Sequence, residues 1–245
     1  MKTVKLYHDD CLKIMKTIPT ASVDLILCDL PYGTTQNEWD TIIPFELLWE
    51  QYMRISKGAI VLFAAQPFTS LLISSNLKYF KYDWVWEKTK ATGHLNAKKQ
   101  PLRNKEDILV FYKKQPTYNP QMSKGEPYKN KTGKDINGLS SMTASYGKYT
   151  NKRNENTGFR YPKQILKFNT VQRNTLHPTE KPVPLLEYLI KTYTNKGDLV
   201  LDNCMGSGST GEAAINLDRH FIGIEKELKF FTKALIRIDN ARLKK

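Results

Sequence analysis

The sequence has few cysteines, no long hydrophobic run and a shortage of acidic residues. Its three cysteines, Cys11, Cys28 and Cys204, are scattered and form no CxxC pair, so neither a zinc cluster nor a disulfide framework is expected. No apolar run approaches the roughly 20 residues that span a bilayer. The first residues, MKTVKLYHDD, become acidic before a signal-peptide core could form. These absences predict a soluble, cytoplasmic protein with no membrane partner and no bound metal.

What the chain has in excess is positive charge. Lys and Arg number 38 against 24 Asp and Glu, which gives a formal net charge of +14. The stretch from Lys113 to Arg173 holds 13 basic and 3 acidic residues and is poor in aliphatic side chains. Such an excess favours a polyanionic partner, although a solvated charged loop would have the same composition.

Short apolar runs alternate with helical patterns on both sides of this basic stretch. The predicted strands are Val4–Tyr7, Val23–Cys28, Ala59–Ala65, Tyr82–Glu87, Ile108–Tyr112, Leu199–Asp202 and Phe221–Glu225. The predicted helices are Phe45–Ser56, Pro184–Tyr193, Thr210–Asn216 and a basic helix at the end of the chain. This alternation predicts a mostly parallel α/β sheet in one domain that carries the basic stretch as an insertion.

One predicted turn, in the stretch VDLILCDLPYGTTQNEWD, combines a carboxylate with an aromatic ring. The apolar run before it is typical of a strand buried on both faces, and a proline and a glycine then end the strand. Enzymes that modify a base flip it out and hold it on aromatic and hydrogen-bonding groups. Tyr32 can supply the aromatic face, while Asp29 and the Leu30 carbonyl can accept both hydrogens of an exocyclic amine. The alternative is a turn that only caps a strand.

A second predicted turn, in DLVLDNCMGSGSTGEAA, has the features of a nucleoside-binding site. Asp202 ends the strand, and Gly206, Ser207 and Gly208 lead into the next helix. Glu225 ends the following strand, where a carboxylate can accept two hydrogen bonds from ribose. Asp202 would repel a pyrophosphate but could bind an ammonium group. A ligand with ribose and an α-amino group but no phosphate is S-adenosylmethionine. Glycines kept only for close packing are the alternative.

Together these motifs resemble the β-class of amino-DNA methyltransferases, which modify N6 of adenine or N4 of cytosine. In that class the catalytic Asp-Pro-Pro-Tyr motif comes first, the target-recognition region follows, and the Phe-x-Gly-x-Gly cofactor motif comes last. This chain has the same order. The resemblance implies a Rossmann-like, S-adenosylmethionine-dependent methyltransferase fold that is circularly permuted. Residues 1–112 would be its catalytic half, 113–175 an inserted target-recognition region and 176–245 its cofactor-binding half.

The resemblance also implies roles for individual residues. The catalytic motif matches Asp29, Leu30, Pro31 and Tyr32, with leucine in place of the first proline. The motif LYHDDCLKIM contributes Asp10, and HPTEKPVPLLEYLI contributes His177, Thr179 and Lys181. Cys204 replaces the phenylalanine of the cofactor motif, which removes an expected aromatic contact. The residues implied at the cofactor are Asp10, Asp29, His177, Thr179, Lys181, Asp202, Cys204, Gly206, Ser207, Gly208 and Glu225.

The expected activity is methyl transfer from S-adenosylmethionine to the exocyclic amine of a flipped base in double-stranded DNA. Aspartate at the first motif position favours adenine N6 in this family, and cytosine N4 stays open. A non-catalytic DNA-binding module with the same fold is the rival from another class. A homodimer and a partner restriction endonuclease are also compatible with the resemblance. Trp39 could be an apolar anchor or a base contact, whereas Trp84 and Trp86 are expected to pack a strand face.

Overall fold

The chain divides into two compact units. Met1–Asn119 together with Lys163–Lys245 form the first, and Pro120–Pro162 form the second. Among the described residues, no helix is both long and apolar enough to cross a bilayer. The computed structural model describes residues 3–35, 37, 40–128, 140–143, 147–150, 157–171 and 180–244.

Strands and helices alternate through most of the first unit. In chain order the strands are β1 Val4–His8, β2 Val23–Asp29, β3 Ser56–Ala64, β4 Phe80–Thr92, β5 Arg103–Phe111, β6 Ser123–Lys124, β7 Ser140–Thr143, β8 Gly147–Thr150, β9 Phe159–Arg160, β10 Ile165–Phe168, β11 Leu199–Asp202 and β12 His220–Glu225. The helices are α1 Cys11–Met15, α2 Phe45–Ile55, α3 Phe68–Ser75, α4 Val183–Tyr193, α5 Ser209–Asn216 and α6 Leu228–Leu243.

Eight of these strands form the main sheet, in the order β1-β12-β11-β2-β3-β5-β4-β10. β5 runs antiparallel to its neighbours β3 and β4, and the other pairs are parallel. β2 and β11 lie side by side, with Leu25 opposite Val200. From this central pair the chain continues outward in opposite directions, to β3 through α2 and to β12 through α5. The strand order therefore reverses between β2 and β11, where open α/β sheets bind ligands.

Helices cover both faces of the sheet, because successive residues of a strand point to opposite sides. In β2, Leu25 and Leu27 pack with α4, α5 and α6, whereas Ile26 and Cys28 pack with α1, α2 and α3. Each helix presents an apolar face to the sheet, and in α2 the buried residues recur three and four positions apart. The sheet is thus the middle of three layers, and its core is shielded from water on both sides.

The predicted mostly parallel α/β sheet is confirmed, and the structure adds elements that have no clear periodicity in the sequence. α1 and α3 are short helices that were not predicted. β4 is longer than expected because its second half continues beyond the core as one arm of an exposed hairpin with β5. β10 lies within the segment 113–175 and pairs in parallel with β4 at the edge of the main sheet.

Trp84 and Trp86 pack a face of β4, as predicted. Both are buried, at 4% and 2% exposure. Their ring N–H groups donate to the Tyr193 hydroxyl at 2.7 Å and to the Phe168 carbonyl at 2.9 Å. The two tryptophans therefore hold β4 against α4 and β10 and are not available to stack on a base.

The second unit contains two short antiparallel ribbons. β6 pairs with β9, and β7 pairs with β8. In the first ribbon the Gly125 N–H donates to the Gly158 carbonyl at 2.7 Å, and the Arg160 guanidinium lies 4.7 Å from the centre of the Tyr128 ring. Two-stranded ribbons bury little apolar surface, as expected for a segment poor in aliphatic residues.

Candidate active site

A cavity of about 440 Å³ lies at the carboxyl edge of the central strands. The turn after β2, the turn after β11 and the end of β12 all contribute to its lining. Neighbouring parallel strands end at the same edge of a sheet, which is why two turns that are far apart in sequence share one space. The two motifs therefore meet at one cavity. The lining includes Asp10, Asp29 to Tyr32, Asp202 to Ser207 and Glu225.

The turn after β2 holds an aromatic ring against a carboxylate. The Tyr32 hydroxyl donates to Asp29 Oδ1 at 2.8 Å, and the Tyr32 ring stacks on Phe68 with centroids 5.0 Å apart. Burial raises the pKa of Tyr32 well above its usual value, so its hydroxyl stays a donor. Leu30 is buried and Pro31 lines the cavity. Because Phe68 covers one face of the Tyr32 ring, a base could stack only on the opposite face.

Asp40 fixes the loop that follows this turn. Its Oδ1 accepts the backbone N–H groups of Tyr32 and Gly33 at 2.7 and 2.9 Å. Its Oδ2 accepts those of Thr34 and Thr35 at 3.0 and 2.8 Å. Asp40 is only 7% exposed, and although burial acts to raise its pKa, the bonds from Thr35 and the backbone lower it. An ionised carboxylate with four backbone donors holds the loop in one conformation.

A partly buried network of alternating charges begins at Asp29. Lys181 Nζ donates to Asp29 Oδ2 and lies 3.3 Å from Glu106 Oε2, while Lys88 donates to Glu106 Oε1. Burial acts to lower the pKa of Lys181, but Asp29 and Glu106 raise it. Burial raises the pKa of Asp29 against the opposing effect of Lys181. Burial also acts on Glu106, but Lys181 and Lys88 outweigh it and lower the Glu106 pKa. An ammonium group therefore sits directly on the candidate catalytic carboxylate.

Glu180, the residue before Lys181, holds the backbone segment that carries this ammonium. Glu180 Oε1 accepts from Arg237 Nη2 at 2.5 Å, and Arg237 Nε lies 3.0 Å from Glu212 Oε2. The Ser207 hydroxyl donates to Glu180 Oε2 at 3.3 Å. These bonds tie the segment before α4 to α5, to α6 and to the turn after β11.

The turn after β11 places a buried carboxylate and Gly206 at the cavity, whereas Gly208 packs against α6 and is not part of the lining. Asp202 Oδ1 accepts the Cys204 backbone N–H at 3.1 Å, and burial raises the pKa of Asp202 to about 7. Gly206 and Gly208 have φ values of +51° and +80°. A Cβ at Gly208 would approach Ala234 of α6 to 3.0 Å. Both the backbone angle and the packing therefore require glycine at that position.

The acids at the ends of β12 and β1 also line the cavity. Glu225 Oε2 accepts the Gly206 N–H and Oε1 accepts the Glu227 N–H, both at 2.8 Å. Burial raises the pKa of Glu225. Asp10 Oδ1 accepts the Leu12 N–H at 2.8 Å and so caps α1. A carboxylate oxygen has two acceptor sites, so each of these acids can bind a ligand hydroxyl or amine as well.

The three cysteines, scattered in the sequence, meet beside the turn after β11. All are free thiols, and Cys11 and Cys28 both lie close enough to Cys204 to influence its pKa, which is raised. Burial raises the pKa of Cys28 to about 12, so it remains a neutral thiol. Within the part of the chain that the structure describes, no group of three or more His, Cys, Asp or Glu side chains could hold a metal ion.

Some of the predicted residues lie beyond what the structure describes, and some contributors were not predicted. His177, Thr179 and Trp39 fall outside the described residues. Asp40 and Glu106 were missed. No spacing in the sequence indicates Glu106, because it reaches the cavity only through β5, the strand inserted antiparallel between β3 and β4. Asp40 offered only a weak signal, an acid shortly after a glycine turn.

Comparison with known proteins gives consistent matches. A sequence model described as DNA methylase (N6_N4_Mtase) matches residues 23–235. The chain is 30% identical over 253 residues to DNA adenine methyltransferase YhdJ of Escherichia coli (strain K12), covering 96% of this chain and 83% of that protein. It is 26% identical over 257 residues to type II methyltransferase M.HpaI of Haemophilus parainfluenzae, covering 96% and 74%.

The fold has a close counterpart among solved structures. The crystal structure of the M1.HpyAVI–SAM complex superposes with a TM-score of 0.64 at 26% identity, covering 97% of this chain and 100% of that one. The eight-stranded mixed sheet, flanked by helices, is the α/β methyltransferase fold. The family match spans the turn after β2, the turn after β11 and the end of β12, which share the cavity. The chain therefore belongs to the N6/N4 DNA methylase family.

Proposed function

We propose that this chain is a site-specific DNA methyltransferase that transfers the methyl group of S-adenosylmethionine to N6 of adenine. The observation that carries the proposal is the shared cavity, in which Asp29 and Tyr32 face the same space as Asp202 and Glu225. A turn that only capped a strand would not need a carboxylate and an aromatic ring at the mouth of a nucleoside-sized cavity.

The chemistry of the cavity suits this cofactor. Glu225 would accept hydrogen bonds from the ribose hydroxyls, and Asp202 would bind the ammonium group. Asp10 would accept a hydrogen bond from a donor on the adenine ring. A lining with several carboxylates favours a cationic nucleoside over one that carries phosphates. The positive φ at Gly206 lets the backbone turn tightly beside the ligand. When bound, S-adenosylmethionine supplies an electrophilic methyl group on a sulfonium.

The residues of the turn after β2 would orient and activate the target amine. One N–H of the amine donates to Asp29 and the other to the Leu30 carbonyl, which directs the nitrogen lone pair at the methyl carbon. Asp29 also stabilises the positive charge that develops on the nitrogen as the N–C bond forms and the C–S bond breaks. Tyr32 holds the flipped base by stacking. Positioning and electrostatics carry this reaction without a covalent protein intermediate.

Two observations support adenine as the target base. Asp29 stands at the first position of the motif, which in this family favours adenine, and the 30% identical relative YhdJ is named a DNA adenine methyltransferase. The excess of basic residues in 113–175 supports this segment as the target-recognition region that contacts DNA.

Analysis of methylated nucleosides tests both the activity and the base. Unmethylated genomic DNA is incubated with the protein and isotope-labelled S-adenosylmethionine, digested, and analysed by mass spectrometry. We expect labelled N6-methyldeoxyadenosine. Labelled N4-methyldeoxycytidine would overturn the choice of base, and the absence of any labelled nucleoside would overturn the activity.

The variant Asp29→Ala tests the role of the carboxylate. Turnover should fall by roughly 10³-fold or more, because the variant loses an interaction made with the amine in the transition state. Cofactor affinity, measured by calorimetry, should change little. Turnover near that of the wild type would show that Asp29 only caps β2.

A further inference from the structure

Glu106 has one carboxylate oxygen, Oε2, that accepts no hydrogen bond among the described residues and has only an ion pair with Lys181. Oε1 accepts from Lys88, but Oε2 is buried and is the one side-chain nitrogen or oxygen atom among the described residues that is buried with no hydrogen-bond partner. A buried carboxylate oxygen without a donor is costly, so natural proteins rarely keep one without a use for it. Glu106 lines the same cavity as Asp29.

The nearest cation to this oxygen is already engaged elsewhere. Lys181 Nζ lies 3.3 Å from Glu106 Oε2, within ion-pair range, but its hydrogen bond goes to Asp29 Oδ2. Lys181 is 6% exposed, so water cannot easily take over either contact. Two carboxylates thus lie within reach of one ammonium, Asp29 through a hydrogen bond and Glu106 through an ion pair.

This arrangement conflicts with the proposed work of Asp29. Tyr32 donates to Oδ1 and Lys181 to Oδ2, so the target amine would have to share an oxygen of this carboxylate with one of these donors. An ammonium beside the amine would also oppose the positive charge that develops on the reacting nitrogen. Lys181 therefore has to leave Asp29 when the base arrives, and it then needs another acceptor nearby.

We propose that Lys181 is a switch that rests on Asp29 in the free protein and moves to Glu106 Oε2 when the target amine binds. Glu106 is then a positioning residue: it never touches the base but receives the ammonium and clears the catalytic carboxylate. Lys88 holds the other oxygen of Glu106 and fixes the receiving carboxylate in place. This inference rests on the proposed methyl transfer to an exocyclic amine.

The isosteric variant Glu106→Gln tests the receiving role. It keeps an acceptor for Lys88 but no longer offers a second carboxylate to Lys181, so the ammonium should stay on Asp29. We expect kcat to fall about tenfold or more, as for the loss of a buried charge partner, while cofactor affinity stays within about twofold. Glu87→Gln is the matched control. Glu87 does not line the cavity, and its Oε2 lies 3.1 Å from Nζ of the exposed Lys167. This control variant should turn over like the wild type.

The double variant Glu106→Gln/Lys181→Met separates a switch from a structural role. If the stranded ammonium is what blocks Asp29, its removal should raise kcat at least about threefold above that of Glu106→Gln, measured at saturating cofactor. A double variant no faster than Glu106→Gln, or a Glu106→Gln variant as fast as the wild type, would overturn the switch. If the wild type methylates no base, the proposed function itself fails. That result is distinct from the two outcomes that would overturn the switch.

A structure of the wild-type protein with duplex DNA that contains its site gives a readout independent of activity. We expect Lys181 Nζ within about 3.0 Å of Glu106 Oε2, the usual length of a charge-assisted bond, with the target amine on Asp29. An ammonium that still donates to Asp29 with the base in place would refute the switch.

Discussion

At the scale of single residues, the candidate site keeps carboxylates where water is largely excluded. Burial raises the pKa of Asp29, of Glu225 and, to about 7, of Asp202. A buried acid is costly to ionise until a cation or a set of donors approaches it. Cofactor binding and protonation should therefore be linked at this site.

Asp202 gives a pH-dependent prediction. Burial raises its folded-state pKa from the ordinary value of 3.8 to about 7, so the neutral carboxyl stabilises the free protein at low pH and this stability is lost as the pH rises through about 7. An ammonium ligand needs the ionised form. Cofactor affinity should therefore fall by up to about tenfold per pH unit below 7, where the α-amino group of the ligand stays protonated.

Calorimetry between pH 5.5 and 7 measures this linkage directly. Binding near pH 7 should also release part of a proton, seen as a dependence of the heat on the buffer. Asp202→Asn should bind the cofactor more weakly and lose most of the pH dependence. An affinity of the wild type that stays flat across this range would contradict the proposed ammonium contact.

At the scale of elements, the strand-to-loop junction after β2 is held by one side chain. Asp40 receives four backbone N–H groups from Tyr32 to Thr35, so the loop is fixed by an acid that lies beyond it in sequence. Catalysis by positioning tolerates little displacement of the aromatic ring and the carboxylate. The loop conformation should therefore matter for turnover as well as for stability.

The variant Asp40→Asn tests this element. The amide can accept on one oxygen only and should lose about half of the backbone bonds, which costs about 1–3 kcal/mol of the free energy of unfolding. We expect kcat to fall roughly tenfold through misplacement of the Tyr32 turn, with cofactor affinity retained. Asp239→Asn, at an exposed pair with Arg242 on α6, is the control and should leave both unchanged. A normal kcat in Asp40→Asn would mean that the loop is set by other contacts.

At the scale of the whole molecule, the cavity and the short, aliphatic-poor segment with 8 basic and 3 acidic residues belong to different parts of the chain. The cavity is built by Met1–Asn119 and Lys163–Lys245, whereas Pro120–Pro162 form a second compact unit with few aliphatic residues. Phosphate contacts give affinity without sequence information, and contacts to base edges give specificity. We propose that the second unit contributes both kinds of contact.

Exchange of the second unit tests this division. Replacement of residues 120–162 by the corresponding segment of a relative with another recognition site should change the methylated sequence. The modified base and the cofactor affinity should stay the same, because the residues for both lie in the first unit. Each lysine or arginine of this unit that contacts phosphate should, when replaced by alanine, lower the slope of log affinity against log salt by about one. A chimera that keeps the original recognition site would place specificity in the first unit.

The sequence by itself determined the α/β class, the strand-turn-helix after β11, and the methylase family that the two motifs resemble. These features depend on local patterns: apolar runs of strand length, glycines that permit a positive φ, and acids at strand ends. β2, β11, α2 and α4 were predicted within a few residues of their observed bounds for this reason.

Only the tertiary structure decided which side chains meet across strands. Glu106 comes to Lys181 because β5 is inserted antiparallel beside β3, and Cys28 comes to Cys204 because β2 and β11 are neighbours. β10 joins the main sheet from within a stretch whose composition resembles a solvated loop. Contacts between residues distant in sequence depend on strand order and register, and no local propensity encodes them. Burial, which sets the pKa values at the site, follows from those same contacts and is decided with them.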